Sequence, residues 1–88
     1  MAVVRLRGPL RDKAGGAPAQ EIDGGTVGEL LRALEAAHPA AAGWILDERG
    51  SIRRHINVYV NGDHVKADAP VGDDDRIDVL PAISGGSA

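Results

Sequence analysis

The feature that most constrains this chain is a capped helical stripe in its first half. Thr26-Val27-Gly28-Glu29 has the spacing of a capping box. A Thr hydroxyl there accepts an early backbone N–H, and a Glu three residues on reaches back. Val27, Leu30, Leu31 and Leu34 then recur at the helical interval, with Glu29, Arg32 and Glu35 off the stripe. Asp23-Gly24-Gly25 breaks the chain before the helix, and Pro39 limits it, so it ends near His38. A helix with one apolar stripe needs one apolar surface to cover, and a sheet built from the flanking segments is the natural partner.

Those segments read as strands. Val4 and Leu6 share one face of a short strand, with Arg5 and Arg7 on the other, and Gly8-Pro9 marks its end. Residues 11–18, with Gly15-Gly16, read as a turn or loop. Residues 19–23 form a weak second strand, antiparallel to the first, with Ile22 inward. Residues 55–60 are the clearest strand: Ile56, Val58 and Val60 point one way, and His55, Asn57 and Tyr59 the other. Asn61-Gly62 follows at once, the strongest short hairpin signal. With these as the loop residues, Val58 faces Val65 and Tyr59 faces His64. Tyr59 and His64 read as an ordinary cross-strand pair, with a small exposed platform as the alternative. Pro70-Val71-Gly72-Asp73 is another turn, and residues 76–80 are the last strand, with Ile77 and Val79 on one face.

Between helix and hairpin, residues 40–47 are expected to form a short second helix that plugs the core, with Trp44 packed. Asp47-Glu48-Arg49-Gly50-Ser51 is a polar turn. The order predicts an α+β fold in which a mixed sheet clasps one main helix, the β-grasp arrangement. The expected core is Val4, Leu6, Leu30, Leu31, Leu34, Ile56, Val58, Val60 and Ile77.

Composition narrows the function. The 88 residues suit one small domain. With one Trp, one Tyr and no Phe, its core must be aliphatic. There is no Cys, hence no disulfide, thiolate metal site or cysteine nucleophile. No apolar run approaches the ~18 residues of a membrane span, and the first residues alternate instead of forming a signal-peptide block. A cytoplasmic location is the expectation. A net charge of −3 argues against broad nucleic-acid binding. The charge is uneven: Arg5, Arg7, Arg11 and Lys13 are one basic stretch and Arg49, Arg53, Arg54 and His55 another, while Asp73-Asp74-Asp75 is an acidic run. Such runs read first as solvated faces and turns. His38 reads as a helix-terminal residue favoured by the dipole. The His residues and Asp63 make no metal site, and no Ser/His/Asp set has a nucleophile context.

The chemistry lies at the end of the chain: Leu80-Pro81-Ala82-Ile83-Ser84-Gly85-Gly86-Ser87-Ala88. Glycine has no Cβ, so Gly85-Gly86 can be threaded through a narrow slot at little steric cost. Residues 1–83 read as the domain and residues 84–88 as a flexible tail to be gripped by a partner, with a frayed terminus as the bland alternative.

Taken together, Thr26-Val27-Gly28-Glu29-Leu30-Leu31, Asn57-Val58-Tyr59-Val60-Asn61-Gly62, Gly72-Asp73 through Ile77, and Leu80 through Gly86 resemble the small ubiquitin-like sulfur carriers of prokaryotes. That family includes the thiamine-pathway carrier, the small subunit of molybdopterin synthase and the carriers of an alternative cysteine synthesis route. The resemblance covers nearly the whole chain and implies a protein co-substrate, not an enzyme. In the family, the terminal glycine carboxylate attacks the α-phosphate of ATP on a ubiquitin-activating-type enzyme, and a sulfur donor then displaces AMP to leave a thiocarboxylate. By resemblance Gly86 is the reactive residue and Gly85 the slender approach. The carrier binds no cofactor, because its partner uses the ATP. The implied partners are that adenylating enzyme, a sulfur donor and a sulfur-accepting biosynthetic enzyme. Tyr59, Arg54 and Ile83 are candidates for partner docking.

One departure matters: the usual family chain stops at the second glycine, whereas here Ser87-Ala88 follow. This reads as a precursor whose extension a metalloprotease removes between Gly86 and Ser87, with a cloning remnant as the alternative. A ubiquitin-like modifier joined to lysines through Gly86, and a binding module never activated, are the competing functions.

Overall fold

The computed structural model describes residues 2–16 and 19–81. The calls on Ile83, Gly85, Gly86 and Ser87, and the boundary between domain and tail, lie outside the described residues. Strands β1 (Ala2–Leu6), β2 (Ala19–Ile22), β3 (Ile56–Val60), β4 (Asp63–Val65) and β5 (Arg76–Pro81) form one mixed sheet in the order β2-β1-β5-β3-β4. The two central strands, β1 and β5, are parallel, and the other neighbours are antiparallel. A parallel pair needs a long crossover connection, usually helical. Here the helices are α1 (Pro9–Lys13) and α2 (Val27–Ala37). This is a ubiquitin-like β-grasp.

Side-chain alternation sets the core. Ala2, Val4 and Leu6 of β1, Ile56 and Val58 of β3, and Ile77 and Val79 of β5 are buried on one face of the sheet, as are Val27, Leu30, Leu31 and Leu34 of α2. Of the expected core, Val60 alone is only half-buried, packed against the cluster near the hairpin end. Ile22, Leu10, Ala14, Ile45, Leu46 and Val79 join the core, which the expected set omitted.

The helix start follows the capping logic with one difference. Thr26 Oγ1 accepts from Glu29 N at 3.2 Å. The Glu29 carboxylate reaches one residue farther back than a capping box requires and accepts from Gly25 N at 2.9 Å. The hairpin register is as expected, Val58 opposite Val65 and Tyr59 opposite His64. Asn61 (φ 51°) and Gly62 (φ 91°) supply the two positive φ angles that a tight turn of matching twist requires.

Three expectations are corrected. Residues 11–18 are not simply a loop, because Pro9–Lys13 is a short helix. Pro9 is pre-set for a first helical position, and Leu10 and Ala14, four apart, both bury against the core. Residues 40–47 are not a second helix. A single 3-10 turn, Pro39–Ala41, is followed by irregular chain in which Glu35 of α2 accepts from Ile45 N (3.1 Å) and Leu46 N (3.0 Å). Those amides bond outside their own segment, so the chain can seat Ile45 and Leu46 in the core without a helix. Trp44 is not packed inside: it is 48% exposed, with the Lys13 ammonium 4.1 Å from its ring centroid. A buried indole N–H would need an acceptor that an all-apolar core does not offer, and at the surface the cation covers the ring.

The polar turns are built, not merely solvated. Asp47 Oδ1 accepts from Arg49 N and Ser51 N, both at 2.9 Å. Asp75 accepts from Gly72 N (2.7 Å) and Asn61 Nδ2 (2.9 Å), and Asn61 Oδ1 accepts from Arg76 N (3.0 Å), tying the hairpin to the start of β5. The Ser51 amide chiefly, with the Arg49 amide and nearby Arg charges, holds the Asp47 carboxyl below the usual carboxylate range. The Gly72 amide chiefly, then the Asn61 side chain, does the same for Asp75. A pKa lowered by folding contributes stability above the unfolded value of 3.8 that is lost as pH falls through the folded one. Acid unfolding should therefore be shallower in an Asp47→Asn, Asp75→Asn double variant than in the parent as the pH falls below about 3.8. Circular dichroism across that range tests this, and identical slopes would assign the acid sensitivity elsewhere.

Candidate functional site

The site is the end of β5 and the sheet face beside it. Pro81 pairs with Ile56, so the chain leaves the sheet at the start of β3 and runs on into residues 82–88. The face opposite α2 is uncovered by any described helix. Alternation puts Val3 and Arg5 of β1, Asp78 and Leu80 of β5, Asn57 and Tyr59 of β3 and His64 of β4 on it.

Its centre is electrostatic. Asp78 sits between Arg5 (Nε–Oδ1 3.7 Å) and Arg76 (Nε–Oδ2 3.6 Å), with its side chain only 17% exposed. These pairs are long, and Asp78 Oδ1 is buried yet accepts no hydrogen bond among the described residues. Beside them the Tyr59 and His64 rings lie 5.2 Å apart, tilted by 54°. Leu80, opposite Asn57, provides an apolar surface next to where the chain exits.

Of the sequence-predicted docking residues, Tyr59 lies on this face, partly buried. Arg54 is exposed in the turn just before β3, at the exit end. Tyr59 lies five positions farther along the chain, opposite Asp78, whereas Arg54 precedes Ile56, the partner of Pro81 where the chain exits. Ile83 is not described. Sequence reasoning missed Leu80, Arg5 and Asp78. The signal was there: Leu80 is one residue out of phase with Ile77 and Val79, which puts an apolar side chain on the outward face. No group of three or more His, Cys, Asp or Glu among the described residues could hold a metal. No described helix is long and apolar enough to cross a membrane.

A model of the ThiS family matches this chain over residues 4–86. The chain belongs to the ThiS family. The match runs through Gly85-Gly86 and stops short of Ser87-Ala88. Among relatives, the sulfur carrier protein CysO of Mycobacterium tuberculosis is 30% identical over 83 residues, covering 88% of this chain and 89% of that one. Small archaeal modifier protein 3 of Haloferax volcanii is 38% identical over 68 residues, 73% of each chain. Among solved structures, a chain in the Amycolatopsis orientalis BexX/CysO complex superposes with a TM-score of 0.86 at 32% identity, covering 94% of this chain and 97% of that one. The ThiS family member described here is thus a ubiquitin-like protein of the sulfur carrier and modifier class.

Proposed function

We propose that this protein carries sulfur as a thiocarboxylate on Gly86, formed after Ser87-Ala88 is removed. What supports the proposal is the sequence order, Gly85-Gly86 following β5 within a ThiS-family match over residues 4–86, in a chain 30% identical to the sulfur carrier CysO over 83 residues. The chemistry balances simply. Cleavage of the Gly86–Ser87 amide by water frees a carboxylate. That carboxylate attacks the α-phosphate of ATP, pyrophosphate leaves, and an acyl-adenylate forms. A sulfur nucleophile attacks the carbonyl carbon, AMP leaves, and the thiocarboxylate remains. The carrier needs no acid, base or metal of its own, because a ubiquitin-activating-type enzyme supplies them. A glycine at this position leaves the carbonyl open to attack from either side.

The test is intact mass spectrometry of a chain ending at Gly86 after incubation with activating enzyme, ATP and sulfide. Replacement of one oxygen by sulfur at the C-terminus is the expected product. No mass change with several such enzymes would leave the inert binding-module reading standing.

Modification of other proteins through Gly86 is the second reading, favoured by the 38% identity to small archaeal modifier protein 3. Both readings share the adenylate. Isopeptide-linked remnants of Gly86 on lysines of other proteins would establish the second.

Docking of the activating enzyme on the open sheet face accompanies either reading. A tail inserted into an active site needs the domain behind it held, and a few residues carry most of such an interface. Tyr59→Ala and Leu80→Ala together should raise the KM for the carrier in adenylation at least about tenfold, the loss of roughly 1.4 kcal/mol, with kcat little changed. Steady-state kinetics with unchanged KM would move the docking surface elsewhere; Arg54→Ala tests whether the exit turn contributes.

A further inference from the structure

A cleft adjoins the open sheet face and shares Asn57 and His64 with it and Arg54 with the exit turn. It lies between the 51–57 segment and the 64–68 segment and measures about 480 Å³, within the range of built ligand sites. It exists because β4 pairs with β3 only over residues 58–60, so the start of β3 runs past the end of its partner. Ile52, Ile56 and Val65 give the cleft an apolar lining, and Arg53, Arg54 and Lys66 give it a basic one.

The charges there are unspent. Among the described residues neither Arg53, Arg54 nor Lys66 forms an ion pair. Among the described residues Arg53 Nε is buried and has no hydrogen-bond partner, so no acceptor within them holds this guanidinium in place. Two carboxylates stand near. Asp68 is on the lining, and Asp47 lies close enough to Arg53 to feel its charge, but Asp47 Oδ1 is occupied by the Arg49 and Ser51 amides. The chain as a whole carries a net charge of −3, so this basic concavity runs against the global sign.

We infer that the cleft binds a short acidic segment of a partner protein, with an apolar side chain between carboxylates. The carboxylates fit the Arg53, Arg54 and Lys66 cations, and the apolar side chain fits Ile52, Ile56 and Val65. Charge complementarity selects an acidic occupant, and the apolar lining of Ile52, Ile56 and Val65 favours a peptide with an apolar side chain over a nucleic-acid backbone.

The probe is a short fluorescein-labelled peptide of alternating glutamate and leucine, titrated into the full 88-residue chain by anisotropy and by backbone-amide NMR. No activating enzyme is present, so the outcome is separate from that of the tail chemistry. Amide shifts are expected in residues 52–56 and 64–68, with affinity falling as salt rises through the Debye range. The variant Arg53→Gln, Arg54→Gln, Lys66→Gln should weaken binding about tenfold, whereas Arg11→Gln on α1 should not. The variant's NMR spectrum checks its fold, and the salt series on the parent chain stands if the variant does not fold. The proposal is overturned if a lysine-for-glutamate peptide binds as well, or if the shifts fall on Val3, Tyr59 and Leu80 instead. Tighter binding of a single-stranded RNA oligonucleotide would overturn it too. So would shifts at the same amides with protein concentration alone, which would make a second copy the occupant.

Discussion

A chain ending at Gly86 should support ATP–pyrophosphate exchange with a cognate activating enzyme, while the chain carrying Ser87-Ala88 stays near background. The reason is bonding, not affinity. In the longer chain the Gly86 carbonyl is an amide to Ser87, and an amide has no carboxylate oxygen to attack the α-phosphate. Two further residues would also have to lie in a channel that glycine suits because it lacks a Cβ. The difference should therefore be nearly all-or-none, larger than any effect expected from the sheet face. Exchange is measured on both chains, with mass spectrometry confirming that the longer one is uncut. Equal exchange by an uncut chain would end the precursor reading. Addition of a metalloprotease that cleaves after Gly86 should restore exchange to the longer chain.

Leu31→Ala should destabilise the domain by about 2–5 kcal/mol. Leu31 is completely buried in α2, within the same cluster as Val58 and Ile77 of the sheet. Truncation removes its transfer free energy and leaves a cavity that a close-packed core fills only in part. Against a total of about 5–15 kcal/mol for a typical domain, this is enough to leave part of the population unfolded at physiological temperature. Urea unfolding should show a lower midpoint with an unchanged slope. Leu31→Met, which nearly conserves volume, should cost less than about 1.5 kcal/mol. If Leu31→Ala unfolds no earlier than the parent, the packing of α2 on the sheet is wrong.

The parts of the molecule legible in sequence are those fixed by local chemistry. The capping box at Thr26, the stripe from Val27 to Leu34 and the Asn61-Gly62 turn each depend on neighbours within a few residues. Each appears where its spacing placed it, except that Glu29 reaches back to Gly25 N one residue before the cap. The register of Val58 with Val65 followed from the turn, because a two-residue loop leaves one pairing. The glycine pair and the extension after it were legible for the same reason: they are statements about covalent order.

What residues 40–47 do was decided elsewhere. The amides of Ile45 and Leu46 are claimed by the Glu35 carboxylate, ten and eleven residues away in sequence, and no local pattern reports an acceptor at that distance. Trp44 came out exposed, with the Lys13 ammonium over its ring, a contact set by the packing of two segments far apart in sequence. The open sheet face was half legible: alternation marks Tyr59 as outward, but which strands lie beside it depends on β5 entering between β1 and β3. That insertion brings Asp78 between Arg5 and Arg76 and sets Leu80 beside the exit of the chain. Short-range spacing thus determined the elements and the reactive end of this protein. Only the tertiary structure decided the surfaces it presents, because strand order is set by packing a whole sheet on one helix, and each strand's neighbours are far from it in sequence.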